Sequence, residues 1–97
     1  MDPLRYNISF TRGDVVDLDL PVSEVDLEDE DLYFKIYKKN EVFADWSDFL
    51  TLESGNIVNL SFDSDDVEEF ENLYYKITTD SQIIFNGLIW QIDPLKE

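Results

Sequence analysis

Two residue types that carry much of protein chemistry are missing from this 97-residue chain, which has no cysteine and no histidine. Without cysteine the chain forms no disulfide and offers no thiol nucleophile. Without histidine it lacks the commonest general base at neutral pH and the commonest ligand of transition metals. The sequence therefore argues against nucleophilic catalysis and against a transition-metal site.

Cations and long apolar runs are scarce as well. Lys and Arg together number 7 against 23 Asp and Glu, which gives a net charge of −16. This charge argues against binding a free nucleic-acid backbone or an anionic membrane, because both partners attract Lys and Arg. No run approaches the ~18 apolar residues of a membrane span, and residues 1–10 lack the basic start and apolar run of a signal peptide. We expect a soluble protein, made in a cytoplasm, with neither kind of partner.

Apolar and aromatic residues are plentiful for a chain of this length. Hydrophobic residues make up 43% of the sequence and aromatic residues 14%. This supply is enough for one core, and the length predicts a single domain over residues 1–97. A domain of this size buries only about 60–65% of the surface of its unfolded chain, so we expect its stability to be modest or to be completed by partners.

Alternation of apolar and polar residues predicts that most of the chain forms β-strands. The clearest strand covers residues 16–22, where aspartates separate valine and leucine. Turn signals recur every 8–12 residues, among them Arg12-Gly13-Asp14 and Thr79-Asp80-Ser81, which joins two strands as a hairpin. The spacing predicts an all-β fold, a small antiparallel β-sandwich or barrel of six or seven strands.

Three segments depart from plain alternation. Residues 42–52 predict a short strand followed by an irregular aromatic stretch. Asp65 followed by Glu68 fits a capping box, which predicts one short helical turn near residues 64–72. Asn86-Gly87 inside the last strand predicts a β-bulge rather than a second tight turn, because alternation resumes at once.

Two acidic clusters occupy residues 24–31 and 63–71. We predict that they form an acidic surface of Glu28, Asp29, Glu30, Asp31, Asp65, Asp66, Glu68 and Glu69. Calcium takes oxygen ligands of this kind, but neither cluster has the glycine of an EF-hand loop. A carboxylate pair for glycoside hydrolysis arises by chance among so many acids. We therefore expect solvated loops, with no metal, no cofactor and no enzymatic activity.

The chain's fourteen aromatic residues (7 Phe, 5 Tyr, 2 Trp) are too many for a core this small to hide easily. Alternation assigns five to the core: Phe10, Phe34, Phe62, Tyr75 and Trp90. It leaves five others on an exposed sheet face or loop: Tyr33, Tyr37, Phe43, Trp46 and Tyr74. Tyr and Trp are favoured at protein interfaces, so these five are interface candidates. The alternative is ordinary cross-strand packing.

An ordered set of features runs along the whole chain. It begins with a strand, the Arg12-Gly13-Asp14 turn and an alternating strand. A hydrophobe-Asp-Leu plug at residues 25–27 and a strand at 32–37 follow. The set ends with a glycine-led strand at 55–62, a Ser-x-x-Asp helical turn, a strand with a Tyr-hydrophobe pair and a closing strand. In this order the features resemble the phage baseplate upper protein N-terminal-domain-like family of small virion modules. The chain departs from the family's pattern at Glu71-Asn72, where a glycine is usual, and in its acidity.

The resemblance implies an Ig-like β-sandwich and a non-enzymatic role in a bacteriophage particle. We expect a subunit or adaptor of a tail, baseplate, neck or capsid, located in the virion and assembled in the host cytoplasm. Its expected partners are other virion proteins and copies of itself. The alternative is an acidic phage-encoded inhibitor that mimics nucleic acid and binds a basic host protein. Mimicry requires the carboxylates to lie on one continuous face.

Overall fold

The segments with period-2 alternation form two layers of β-sheet in the computed structural model. The structure describes residues 4–22, 27, 30–54 and 56–92. The nine strands of this part of the chain are β1 (Leu4–Arg5), β2 (Ile8–Thr11), β3 (Val15–Pro21), β4 (Tyr33–Lys38), β5 (Glu41–Asp45), β6 (Leu50–Ser54), β7 (Ile57–Asp63), β8 (Leu73–Thr78) and β9 (Ile83–Ile92). Two 3-10 helices, Ser47–Phe49 and Ser64–Asp66, lie between strands. The all-β class predicted from sequence is confirmed.

The larger sheet has six strands and the smaller sheet has three. The order in the larger sheet is β1-β9-β8-β4-β5, and β2 also pairs with β9; the order in the smaller sheet is β3-β7-β6. β1 and β2 run parallel to β9, and every other pairing is antiparallel. The antiparallel pairing predicted from sequence therefore fails for β1 and β2, and the nine described strands exceed the six or seven predicted. With ten residues, β9 is long enough to hold both short strands along one edge.

The core lies between the two sheets. Its buried hydrophobic side chains are Ile8, Phe10, Val16, Leu20, Val22, Leu27, Phe34, Ile36, Trp46, Val58, Leu60, Phe62, Leu73, Tyr75, Ile77, Ile84, Phe85 and Ile89. Four of the five predicted core aromatics are among them. The fifth, Trp90, is half-buried, because it follows buried Ile89 in β9 and so points to the opposite side of the sheet. Leu27 is buried as the predicted plug, and Val25 lies outside the described residues.

Trp46 is a correction to the predicted interface. Its side chain is only 6% exposed, and its ring centroid lies 4.8 Å from that of Phe62 and 5.7 Å from that of Phe34. Phe43 is half-buried, with its ring 5.8 Å from that of Phe70. Residues 42–52 form two strands joined by the Ser47–Phe49 helix, which carries the chain from the larger sheet to the smaller one. Trp46 stands at this crossover and therefore fills the space between the sheets.

The predicted helical turn is shorter than expected. Its 3-10 helix covers only Ser64–Asp66, and Asp63 is the N-cap, with Oδ1 accepting from the Asp65 amide at 3.0 Å. The Asp65–Glu68 capping box was therefore wrong. The Ser64 hydroxyl accepts from the Gly13 amide at 2.8 Å, and Gly13 has a φ of +96°. The helical turn thus fastens the predicted Arg12-Gly13-Asp14 turn.

The bulge predicted at Asn86-Gly87 is absent from the described β8–β9 pairing. Lys76 pairs with Asn86 and Tyr75 with Gly87 in continuous register, and the shift falls further along, between Ile77 and Thr78. Gly87 has another role, because a Cβ there would overlap the carbonyl group of Tyr6. The glycine allows the segment that joins β1 to β2 to lie directly against β9.

Candidate docking surface

Tyrosines and lysines alternate with core residues on the two central strands of the larger sheet. In β4, buried Phe34 and Ile36 separate half-buried Tyr33, Lys35 and Tyr37. In β8, exposed Tyr74 and Lys76 flank buried Tyr75 in the same way. Successive side chains point to opposite faces of a sheet, so these polar and aromatic groups share its outer side. We call this surface the Tyr–Lys face and define it by Arg5, Tyr33, Lys35, Tyr37, Tyr74, Lys76 and Asn86.

Strand register gathers the cations of the Tyr–Lys face into one row. Lys35 lies directly opposite Lys76, Lys76 lies opposite Asn86, and Asn86 lies opposite Arg5. Like charges directly opposite one another on a sheet are destabilising. The sheet therefore concentrates positive charge at a place where folding alone would disfavour it.

A row of tyrosines lies beside the cations. Tyr37 pairs with Tyr74 across β4 and β8, and Tyr74 is 58% exposed. The Lys76 ammonium lies 5.1 Å from the Tyr37 ring centroid, and the Lys35 ammonium lies 6.0 Å from the Tyr33 ring centroid. Both distances are within the range of cation–π attraction. The rings thus help to hold the ammonium groups in place at the surface.

Acidic groups flank one end of this surface. The Tyr33 hydroxyl donates to Asp80 at 3.0 Å, and this hydrogen bond raises the pKa of Tyr33. Asp45 pairs with Lys35 across the sheet. Hydrogen bonds from Ser47 lower the pKa of Asp45, and the nearby Lys35 lowers it further. The middle of the face stays cationic, because neither acid reaches Lys76 or Arg5 in the strand register.

A shallow concavity opens on the cationic side of the face. Its volume is about 530 Å³, and its lining consists of Arg5, Tyr37, Lys39, Asn40, Tyr74, Tyr75, Lys76, Asn86 and Gly87. Lys39 and Asn40 have φ values of 51° and 69°, which fit the tight turn that joins β4 to β5. The turn places a further lysine at the rim, so three cations, half-buried Tyr37 and exposed Tyr74 surround the concavity.

The outer side of the smaller sheet has the opposite charge. Asp17 and Asp19 of β3 and Glu53 of β6 are exposed there. The buried Asn59 amide of β7 donates to Asp17 at 2.7 Å and to Asp19 at 2.9 Å, which holds the two carboxylates close together. Repulsion by Asp19 is the main cause of a raised pKa for Glu53, with burial and Asp17 adding to it. We call Asp17, Asp19 and Glu53 the acidic face, and its described strand positions include no Lys or Arg.

Three of the five predicted interface aromatics, Tyr33, Tyr37 and Tyr74, lie together on the Tyr–Lys face, while Trp46 and Phe43 pack inward. The cations beside these tyrosines were not predicted as interface residues. Alternation could have indicated them, because Lys35 and Lys76 alternate with buried residues in their strands.

Six residues of the predicted acidic surface are exposed: Glu30, Asp31, Asp65, Asp66, Glu68 and Glu69. Glu28 and Asp29 lie outside the described residues. Of the exposed six, Glu69 forms an ion pair with Arg12.

Within the described ranges no group of three or more acidic side chains is arranged to hold a metal ion. None of the helices in these ranges is long and apolar enough to cross a membrane.

No family model matches the chain, and no curated protein matches it. The resemblance to phage virion modules therefore stays a prediction that rests on the ordered sequence features.

Proposed function

We propose that this protein is a non-enzymatic docking module of a bacteriophage particle. It is a subunit or adaptor of the tail, baseplate, neck or capsid, and its Tyr–Lys face binds an acidic surface of a neighbouring protein. The observation that carries the docking role is the row in which Lys35 lies opposite Lys76, with half-buried Tyr33 and Tyr37 and exposed Tyr74 beside it. The virion assignment is supported by the ordered sequence resemblance.

The distribution of charge supports an acidic partner. Six of the seven cations lie in the described part of the chain, and five of these belong to the larger sheet or to its β4–β5 turn: Arg5, Lys35, Lys38, Lys39 and Lys76. The sixth, Arg12, is paired with Glu69. Four of the other five, Arg5, Lys35, Lys39 and Lys76, lie on the Tyr–Lys face or at its rim, in a chain with a net charge of −16. Complementary charge across an interface speeds association and selects the partner.

The tyrosines on the outer side of the larger sheet, Tyr33, Tyr37 and Tyr74, support a protein partner rather than nucleic acid. Tyrosine supplies a large contact area with few rotatable bonds and is enriched at binding hot spots. A nucleic-acid backbone would meet the same tyrosines, but it would be repelled by the acids on the rest of the molecule, because its binding depends on net release of counterions by cations.

Charge reversal on the face tests the proposal in assembled particles. We expect Lys76→Glu to reduce the amount of the chain in purified virions by about tenfold or more, as measured by quantitative mass spectrometry. Lys38→Glu is the matched control, since it makes the same charge change on the same sheet at a position that alternates to the other side of β4. Absence of the wild-type chain from particles would overturn the virion role. Equal incorporation of both variants would overturn the docking face.

A further inference from the structure

We infer that the acidic partner of the Tyr–Lys face is the acidic face of a second copy of this chain, so that copies associate head to tail. This inference rests on the proposed function and names the partner of the same surface. The two faces lie on the outer sides of the two packed sheets, so each copy carries one of each on opposite faces of the sandwich. One copy can therefore contact two neighbours at the same time.

Charge complementarity is the first support for this pairing. The row of Arg5, Lys35 and Lys76 crosses the larger sheet, and Asp17, Asp19 and Glu53 cross the smaller one. In the isolated chain Lys35 lies opposite Lys76, and Asp17 and Asp19 are held side by side by Asn59. Contact between copies would place three carboxylates against the cations and relieve the repulsion on both sides at once.

The second support is that Asp17 and Asp19 of the acidic face are already held in place in the single chain. Asn59 is only 7% exposed, and its side-chain amide donates hydrogen bonds to two exposed aspartates, Asp17 and Asp19. The Thr51 hydroxyl donates to the side-chain oxygen Oδ1 of Asn59 at 3.5 Å. This network fixes the direction of Asp17 and Asp19 before any partner arrives. Fixed carboxylates lose less conformational entropy on binding than mobile ones.

The dimensions of the molecule allow such a contact. Its extents are 41 × 28 × 20 Å, and the two longer ones leave room for the roughly 800 Å² that each partner contributes to a stable interface. Because the two contacting surfaces differ, the contact is heterologous. Repetition of a heterologous contact produces a ring if the rotation closes and a filament if it does not.

Self-association of the isolated protein is the first measurement. We expect sedimentation equilibrium at about 0.15 M salt to show concentration-dependent association with a dissociation constant at or below about 1 mM. The double variant Lys35→Glu/Lys76→Glu should be at least about tenfold weaker, and Asp17→Lys/Asp19→Lys should be weakened alike. Mixing these two variants should restore association, because their altered charges are complementary.

The relative orientation of two copies is tested by disulfide cross-linking. Because the chain has no native cysteine, only the introduced cysteines can form a disulfide. Asn86→Cys marks the Tyr–Lys face, and Thr51→Cys marks the acidic face. A head-to-tail contact predicts that an oxidised mixture gives disulfide-linked heterodimers far more than homodimers of either variant. A dominant homodimer would overturn the head-to-tail contact.

The outcomes separate this inference from the proposed function. A wild-type chain that stays monomeric at about 1 mM, or variants that associate as the wild type does, would overturn self-association. In those cases the loss or retention of Lys76→Glu in virions still decides the docking role. If the Asp17→Lys/Asp19→Lys protein fails to fold by circular dichroism, Glu53→Lys replaces it and must show the same weakening.

Discussion

Gly87 and Asn7 show how single residues determine the amino-terminal edge of the larger sheet. The Tyr6 amide donates to the Asn86 carbonyl at 3.0 Å, and the Asn7 side chain accepts from the Leu88 amide at 3.0 Å. A side chain thus takes the place of a backbone acceptor where β1 gives way to β2. Gly87 lies opposite this junction, and its missing Cβ is what brings the two backbones together.

We expect Gly87→Ala to destabilise the fold by about 1–3 kcal/mol, because the added methyl overlaps the backbone of Tyr6 and forces β1 away from β9. Urea denaturation followed by tyrosine and tryptophan fluorescence measures the change. Asn86→Ala is the control, since its side chain points to the Tyr–Lys face. An equal effect of the two substitutions would contradict the close approach at Gly87.

Glu53→Gln should raise the denaturation midpoint at pH 7. The folded-state pKa of Glu53 is raised, chiefly by Asp19, so the folded protein binds this proton more tightly than the unfolded chain does. The repulsion is therefore absent below the unfolded pKa and grows as the pH rises through the folded one. The advantage of the variant should fade on acidification toward about pH 4. Glu71→Gln, at an exposed carboxylate outside the acidic face, should raise the midpoint less than Glu53→Gln does.

At the scale of elements, the crossover through Trp46 joins the two sheets. The Trp46 amide donates to the Phe34 carbonyl of β4 at 2.8 Å, and its indole contacts rings from both layers: Phe10, Phe34, Phe49, Phe62 and Phe70. The Ser47–Phe49 helix then starts the chain toward β6. Trp46 was predicted at an interface because tryptophan is favoured there, but it lies at the centre of the aromatic core.

Trp46→Ala should destabilise the protein by about 3–5 kcal/mol, because it opens a cavity among rings that cannot all move inward. Tyr74→Ala removes an exposed ring of similar chemistry and should stay within about 0.5 kcal/mol. Comparison of urea midpoints separates the two. If the effects were equal, Trp46 would not be the centre of the core.

Local alternation was enough to predict β3, β4, β7 and β8, because each has one buried face and one polar face. It was not enough for residues 42–52, where two short strands meet at a crossover and both sides of the segment are partly buried. Parallel pairing of β1 with β9 joins residues 81 positions apart, and no local pattern carries that information. The tyrosines of the Tyr–Lys face were predicted from alternation, but the lysine row needed the strand register.

At the scale of the whole molecule, the sandwich combines a large negative charge with opposite local charges on its two outer sides. The net charge of −16 opposes contact between free copies at a distance, while the two faces favour contact at close range. The salt concentration sets the balance between this long-range repulsion and the short-range attraction, because salt screens distant charges more than charges in contact. The proposed association of copies in a virion would then depend on the high local concentration there.

We expect the stability of the isolated chain to rise with salt between about 0.01 M and about 0.15 M NaCl. The Debye length falls from about 30 Å to about 8 Å over this range, and the radius of gyration is 13.4 Å. The exposed carboxylates therefore repel one another at the lower concentration and are largely screened at the higher one. Thermal denaturation in dilute samples measures the slope. Glu68→Gln/Glu71→Gln, which removes two exposed charges, should show a smaller slope, and a midpoint that falls with salt would mean that attractive pairs dominate the folded state.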